Sequence, residues 1–485
     1  MEKILIIGGG VSGLSAGIYS GLRGYDTIIC ERHTRAGGNL TGWQRGEYHI
    51  DNCIHWLTGT NPMTDTYKMW CELGVLGNVE IYQSDTLYTC ERDGERLSLD
   101  RSIDKTEKDM LTLSPIDKKE ILSFTSAVRA VQGISGTAGE HRNKRIGIPS
   151  LIISAPNILK YHFLSTGELS RRFKHPLIRD LIVSVLGEYF SALALIIVFA
   201  TFSGENGGIP KGSSVAMAER MTEKFASLGG KLLLGKEAVR INGIGTKAKS
   251  VSFSDGSEIA ADYIVLATDP EICYGQLLER DMPPQFKKMY ENPKMLRFSS
   301  YHTAFACDME ALPFKGDFVF EIPNSAKRFL HTKYLIMREF SHEPGFSPKG
   351  KNIIQTMTFS DESCSERFIK LYSERAAYEA TKKRVVEAIH DLIISKFPEL
   401  SGRLECIDVW TPATYRRYTG ASIGSYMSFV LPPRKIPCPV SCESGVYDNV
   451  LLATQWQNPP GGLPIAADMG REVIEKIAQK IRGRI

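Results

Sequence analysis

Apolar residues at the start of the chain follow the pattern of a strand, a tight turn and a helix. Ile4–Ile7 is an apolar run of strand length, a Gly-Gly-Gly-Val-Ser-Gly segment follows at once, and Ser15–Leu22 has a helical pattern. A second apolar run, Thr27–Cys30, is followed directly by Glu31. This order is typical of the first βαβ unit of a dinucleotide-binding domain.

Short apolar runs of strand length return in two later parts of the chain. The predicted strands are Lys231–Leu234, Ala238–Ile241, Ser250–Phe253, Tyr263–Leu266 and Val450–Ala453. A helix is predicted before the first group, over Ser214–Leu228, and another after the last strand, over Ile465–Ile481. The pattern therefore indicates that the chain returns to the nucleotide-binding domain after long excursions.

The excursions themselves have a mixed pattern. Leu87–Leu99 alternates as strands do, around a turn at Asp93 and Gly94. Further strands are predicted over Phe298–Asp308 and Asn352–Phe359. The predicted helical features are one apolar face formed by Ile121, Phe124, Val128 and Val131, and a long amphipathic region over Glu366–Phe397. This mixture predicts an α+β domain inserted into the nucleotide-binding domain.

One apolar stretch has two interpretations. Leu181–Phe202 contains a single charged residue, Glu188, and its length would suffice to cross a bilayer. The stretch lies in mid-chain and lacks flanking clusters of basic residues, which membrane spans usually carry. We therefore expect a buried or substrate-lining helix, with a transmembrane helix as the alternative.

The first glycines are spaced for binding a pyrophosphate. Gly8 permits the turn, Gly10 lets the backbone approach the ligand, and Gly13 allows the helix to pack closely on the strand. The alternative is a glycine turn that binds no nucleotide. Glu31 is placed to accept hydrogen bonds from a ribose with a free 2′-hydroxyl, which favours NAD or FAD over NADP. The adjacent Arg32 keeps NADP as an alternative, because an arginine can bind the 2′-phosphate.

Composition excludes few functions. The 485 residues are 42% hydrophobic and 24% charged, which is typical of a globular protein of two or three domains. The net charge of +4 is weak, so no nucleic-acid partner is expected. The basic group His141, Arg142, Lys144 and Arg145 is either a solvated loop or a surface contact with phosphate or anionic lipid.

The cysteines and the position of the first strand bear on compartment. The ten cysteines lack paired metal spacing, so we expect reduced thiols and no metal site. The first predicted strand leaves no room for an apolar leader. The sequence therefore predicts a cytoplasmic protein, with association at a membrane surface as a further expectation.

The motifs together carry a family resemblance. The run from Gly8 to Gly59 resembles the N-terminal signature of FAD-dependent phytoene desaturases, carotenoid isomerases and retinol saturases, within the amine-oxidase-like flavoprotein superfamily. Residues 207–270 and the segment Gln455–Pro464 are similar to the middle and the end of the same family. The resemblance implies an α/β fold with a discontinuous Rossmann-type FAD-binding domain (1–75, 204–272 and 403–485). An inserted substrate domain would comprise 76–203 and 273–402.

The resemblance also implies which residues bind FAD. They are Gly8, Gly10, Val11, Ser12, Gly13, Glu31, Arg32, Arg35, Gly37, Gly38, Asn39, Val239, Ala267, Thr268, Ala453, Thr454, Gly461, Gly462 and Leu463. The chain departs from many relatives in one place. They have Gly-Asp after the last strand, whereas this chain has Ala453 and Thr454, and a hydroxyl cannot supply the charge of a carboxylate.

The implied activity is hydride exchange between flavin N5 and an apolar isoprenoid, polyene or long-chain acyl substrate. The family includes desaturases, saturases and isomerases, and no residue decides among them. One alternative is a flavin amine oxidase, with Trp456 and Tyr426 as an aromatic cage or as ordinary core residues. The other is a non-enzymatic isoprenoid carrier resembling Rab GDP-dissociation inhibitors. His55 is the candidate catalytic residue or an ordinary hydrogen-bonded histidine, and the oligomeric state stays open.

Overall fold

A computed structural model describes residues 2–133, 159–435 and 439–483. The basic group at 141–145 lies outside the described residues, as does Cys438. The nine described cysteines are free thiols.

A five-stranded parallel sheet forms the first of two sheets that position the site. In spatial order its strands are Lys231–Leu233, Asp26–Cys30, Lys3–Ile7, Tyr263–Leu266 and Val450–Leu452. Three helices belong to the apolar core on one face of this sheet: Val11–Leu22, Ser213–Ser227 and Leu463–Arg482. A three-stranded antiparallel sheet, Ala238–Ile244, Lys247–Phe253 and Glu258–Ala260, contributes to the core on the other face. The predicted Rossmann-type α/β fold is confirmed.

Apolar side chains on both faces explain why these strands lie inside the molecule. Ile4 and Ile6 pack toward the helices, whereas Leu5 and Ile7 pack toward the antiparallel sheet. The helices pack very closely, since a Cβ at Gly470 would lie 2.4 Å from the carbonyl oxygen of Ser12. Only glycine permits that approach between the first and last helices.

The second sheet that positions the site has seven strands. Its strands, in spatial order, are Leu404–Trp410, Ser299–Cys307, Asn352–Ser360, Tyr334–Glu339, Asp317–Glu321, Thr86–Arg92 and Glu95–Asp100. The pairs are antiparallel except for Asp317–Glu321 with Thr86–Arg92, which is parallel. One apolar core on this sheet includes Ile103–Leu113, Lys118–Gly133, Thr166–Ser170, Pro176–Ser184 and Ala192–Ser203. The other includes Glu362–Leu371 and Arg375–Lys396.

Two predicted helices were wrong in their extent. The stretch predicted over Leu181–Phe202 is divided between Pro176–Ser184 and Ala192–Ser203, and Gly187 has a positive φ of 83° in the break. Among the described residues, no helix combines the length and the apolar character needed to cross a bilayer. The region predicted over Glu366–Phe397 is likewise two helices, which end at Leu371 and begin again at Arg375.

Shorter elements connect the two sheets. The strands are Gly42–Arg45 paired with Tyr48–Asp51, and Leu57–Thr58 and Ile81–Tyr82 on either edge of Gly207–Pro210. The helices are Asp65–Glu72, Pro270–Ile272, Pro284–Tyr290 and Pro412–Thr419. A further short helix, Asn324–Leu330, joins two strands of the seven-stranded sheet. The parallel sheet takes strands from three separated parts of the chain, although the exact domain boundaries stay a prediction.

Candidate FAD and substrate site

A cavity of about 1380 Å³ lies between the two sheets. One group of lining residues surrounds the carboxyl ends of the parallel strands, and we call it the nucleotide end. It includes Gly8, Gly10, Val11, Ser12, Glu31, Arg32, Arg35, Gly37, Gly38, Asn39, Ala267, Thr268, Thr454, Gly461, Gly462 and Leu463. The structure thus brings most of the predicted cofactor residues, which are far apart in sequence, onto one wall.

The nucleotide end presents bare backbone to the cavity. A Cβ added at Gly10 would meet no described atom closer than 3.9 Å, and one at Gly462 none closer than 4.0 Å. Gly37 N–H donates to the carbonyl of Gly9 at 2.8 Å, which joins the two glycine turns. Gly462 directly precedes the helix Leu463–Arg482, whose first N–H groups can face a phosphate.

Glu31 has a structural role as well as a place in the cavity wall. One carboxylate oxygen accepts the N–H of Gly9 at 2.7 Å, and the other accepts the N–H of His33 at 2.9 Å. The residue is 7% exposed. The carboxylate therefore fixes the glycine turn, and its remaining lone pairs are available to a ribose.

The arginines are held by backbone carbonyls. Arg32 donates to the carbonyls of Arg417 and Tyr418 at 2.8 and 2.7 Å, at the end of the helix Pro412–Thr419. Arg35 donates to the carbonyl of Gly42 at 2.8 Å. Both guanidinium groups are therefore already engaged by backbone carbonyls. This makes Arg32 a poor partner for the 2′-phosphate of NADP.

Three predicted cofactor residues do not line the cavity. A Cβ at Gly13 would lie 1.9 Å from the carbonyl oxygen of Gly8, so this glycine serves helix packing. Ala453 is fully buried beside the sheet, and its N–H donates to Leu266. Val239 lies one residue beyond the wall, which is formed there by residues 236–238.

Asp269 is a wall residue that the sequence did not single out. One oxygen accepts the N–H of Glu271 and the hydroxyl of Tyr290, at 2.8 and 3.2 Å, while the other oxygen is buried with no partner among the described residues. Burial, with Glu271 nearby, raises its pKa to about 7. The only sequence signal was its position after Ala267 and Thr268, before a proline.

The second group of lining residues is largely apolar, and we call it the apolar arm. It contains Val185, Leu186, Phe190, Leu193, Ala194, Ile197, Val198, Phe298, Met357, Phe359, Val430 and Leu431. Leu159 lines the cavity and is also 55% exposed, so the arm reaches the protein surface. The break between the two helices places Val185, Leu186 and Phe190 in this wall.

Histidines and tyrosines form a polar part of the cavity wall. His55 Nδ1 lies 3.3 and 3.4 Å from the two oxygens of Asp317. His302 contacts the hydroxyls of Ser300 and Tyr415 at 2.6 and 3.1 Å, and burial lowers its pKa to about 3. The predicted catalytic residue is therefore in the cavity and paired with a carboxylate far away in sequence.

The nucleotide end fits an FAD molecule, because two glycine turns, a helix N-terminus and a ribose-facing carboxylate converge there. In the part of the chain that the structure describes, no cluster of His, Cys, Asp and Glu could hold a metal ion. The family model described as flavin containing amine oxidoreductase matches residues 11–367. The chain belongs to this family. Membership of this family makes the protein an FAD-dependent oxidoreductase. The alternative of a non-enzymatic isoprenoid carrier is therefore set aside.

Two relatives are similar over most of their length. The 4,4′-diaponeurosporene oxygenase of Staphylococcus haemolyticus is 22% identical, and the alignment covers 98% of this chain and 97% of that protein. Prolycopene isomerase 2 of an Oncidium hybrid cultivar is 22% identical, over 89% of this chain and 76% of that protein.

Solved structures show the same fold. An oxidoreductase from Methanosarcina mazei has a TM-score of 0.62 at 14% identity, over 98% of this chain and 100% of that chain. Cyclohexylamine oxidase from Brevibacterium oxydans has a TM-score of 0.60 at 13% identity, over 99% of both chains. At these identities the likeness concerns the fold alone.

Proposed function

We propose that this FAD-dependent oxidoreductase acts on carbon–carbon double bonds of an apolar isoprenoid, polyene or long-chain acyl substrate. The observation that carries the proposal is the apolar arm, which extends from the cavity shared with the nucleotide end to the exposed side chain of Leu159. Transfer of a long hydrocarbon from water to such a wall lowers its free energy by about 25 cal/mol per Å² of buried apolar surface.

The comparisons support this substrate class without fixing the reaction. Two relatives are named for diaponeurosporene and prolycopene, which are carotenoids, and both match most of this chain. When bound, FAD supplies the two-electron chemistry by accepting or donating a hydride. The protein orients both partners and excludes water. Desaturation, saturation and isomerisation are all compatible with these roles of FAD and of the protein.

The amine oxidase alternative is tested together with this proposal. Trp456 and Tyr426 line the cavity, as an aromatic cage requires. However, Trp456 packs with its ring centroid 5.9 Å from Tyr290 and 5.3 Å from Phe429, as core aromatic residues do. We therefore favour the apolar substrate and treat amines as the competing outcome.

An anaerobic flavin-reduction screen distinguishes these functions. The FAD-loaded protein is mixed with polyenes, fatty acids and amines, and flavin absorbance is followed; chemically reduced protein is tested for reoxidation by the same compounds. We expect polyenes to bleach the flavin, to restore its colour, or to isomerise without net redox change, which chromatography detects. Bleaching of the flavin by amines, with peroxide released once air is admitted, and no reaction with polyenes would overturn the proposal.

We also propose that the mouth of the apolar arm contacts an anionic membrane surface. Leu159, Phe163 and Tyr189 are 55%, 45% and 58% exposed beside lining residues. Lys435 lines the cavity and is exposed, and Arg434 donates its backbone N–H to the carbonyl of His162 at 2.9 Å. Apolar side chains next to basic ones suit insertion between acidic lipid headgroups.

Vesicle flotation tests the membrane contact. We expect the protein to float with phosphatidylcholine vesicles that contain phosphatidylglycerol at low salt, and to float several-fold less when Leu159 and Phe163 are both changed to Glu. Ile244→Glu is the matched control, because Ile244 is exposed on the antiparallel sheet and does not line the cavity. Wild-type protein that stays at the bottom of the gradient would contradict the proposed contact.

A further inference from the structure

Asp317 and Arg338 form a buried ion pair next to His55, and neither of them is one of the predicted cofactor residues. Asp317 begins the strand Asp317–Glu321, is 8% exposed, and pairs in register with Arg338 on the next strand. Arg338 Nε lies 3.8 Å from Asp317 Oδ1, and Arg338 Nη2 also donates to the carbonyl of His55 at 3.5 Å. Because moving two charges out of water costs free energy, stability alone does not explain an ion pair beside an apolar wall.

The contacts favour one orientation of the His55 ring. Asp317 faces Nδ1, and a carboxylate there accepts an N–H, which leaves Nε2 as the nitrogen without a proton in the neutral ring. His55 itself lines the cavity and is not fully buried. Nε2 is thus the ring atom that a substrate can meet.

The surrounding charges keep Asp317 ionised. Burial opposes its ionisation, but His55 and Arg338 together hold the pKa of Asp317 below its usual value. Burial lowers the pKa of His302 to about 3 and that of His342 to about 4, so both rings are neutral near pH 7. Tyr88 is a further ionisable neighbour of Asp317, and burial raises its pKa well above 10.

We propose that Asp317 is a positioning residue that orients His55 and stabilises its protonated ring, so that Nε2 exchanges a proton with the substrate. The inference rests on the proposed function. In a desaturation, two neighbouring C–H bonds would break: bound FAD would supply the oxidant that takes one hydrogen as a hydride, and Nε2 would take the other as a proton. The electron pair of the second bond becomes the new π bond. Saturation runs the same steps in reverse, with reduced flavin as the donor.

The first measurement concerns the imidazole itself and needs no substrate. In FAD-loaded protein with ¹⁵N-labelled histidine, NMR follows the titration and the tautomer of each ring, and His55→Gln assigns the signals. In Asp317→Asn the imidazolium loses its carboxylate. An amide at this position can donate as well as accept, so we expect the fixed tautomer of the His55 ring to become mixed.

The second measurement is the rate with a substrate found in the screen. We expect His55→Gln to lower the rate about 100-fold or more, and Asp317→Asn about 10-fold or more, with FAD content unchanged. Glu321→Gln is the matched control, since it removes a carboxylate from the same strand outside the cavity wall.

The outcomes separate this inference from the proposed function. An unchanged His55 tautomer in Asp317→Asn overturns the inference whatever the substrate is, and so does a mixed tautomer without a lower rate. If Asp317→Asn fails to fold, His55→Gln decides, because a rate equal to wild type would remove the role that Asp317 supports. A screen without any apolar substrate overturns the proposed function, whereas the His55 tautomer still reports whether Asp317 orients the ring.

Discussion

A methyl group at Gly10 is expected to weaken FAD binding about 100-fold while leaving the fold intact. The φ of Gly10 is −73°, which alanine readily adopts, and its added Cβ would meet no described atom within 3.9 Å. The methyl group would instead occupy the space in which the pyrophosphate must approach the backbone. We expect FAD affinity to fall about 100-fold in Gly10→Ala, which is about 2.7 kcal/mol of binding free energy.

Gly13→Ala should behave differently, because its Cβ would lie 1.9 Å from the carbonyl oxygen of Gly8. Such overpacking costs about 3 kcal/mol of stability, so both folding and FAD binding should suffer. Gly345→Ala is the control, since nothing lies within 4 Å of its added Cβ and it is outside the cavity wall. FAD fluorescence titration and thermal unfolding of the apoprotein report the two effects.

Gly10→Ala protein that still binds FAD as tightly as wild type would contradict the placement of the pyrophosphate at this turn. Equal thermal midpoints for the Gly10→Ala, Gly13→Ala and wild-type apoproteins would contradict the packing role of Gly13. The pair therefore separates a ligand contact from a structural contact within one motif.

The nucleotide end could be predicted because its signals are local. Ile4–Ile7, the glycine turn, the first helix and Glu31 are contiguous, so apolar period and glycine spacing define them together. Helix continuity was harder to predict. The apolar run over Leu181–Phe202 contains a break at Gly187, and only this glycine and the single charged residue Glu188 mark it in the sequence.

The pairing of His55 with Asp317 could not be predicted from local patterns. His55 and Asp317 are 262 positions apart, and their contact depends on the register of the seven-stranded sheet. Two strands of that sheet next to the site, Asp317–Glu321 and Tyr334–Glu339, were not predicted at all. Charged residues at their ends interrupt the apolar pattern, and one of these is Asp317 itself.

Ala194→Trp is expected to close the apolar arm while FAD remains bound. Ala194 lies in the cavity wall on the helix Ala192–Ser203, away from the glycine turns and the C-terminal helix that form the nucleotide end. An indole group there would fill space that the proposed substrate needs. Since displacement of a substrate by about 1 Å can cost 10²-fold in rate, we expect kcat/KM to fall about 100-fold or more.

The control for Ala194→Trp is Ala376→Trp, which places the same side chain at an exposed position of the helix Arg375–Lys396, outside the cavity wall. Flavin absorbance and the thermal midpoint should match wild type in the control, and flavin absorbance should also do so in Ala194→Trp. Longer polyenes should lose more activity than short ones, because only long chains must pass the blocked section. Full turnover of long polyenes by Ala194→Trp protein would show that the substrate does not use this arm, and it would remove the observation on which the proposed substrate class depends.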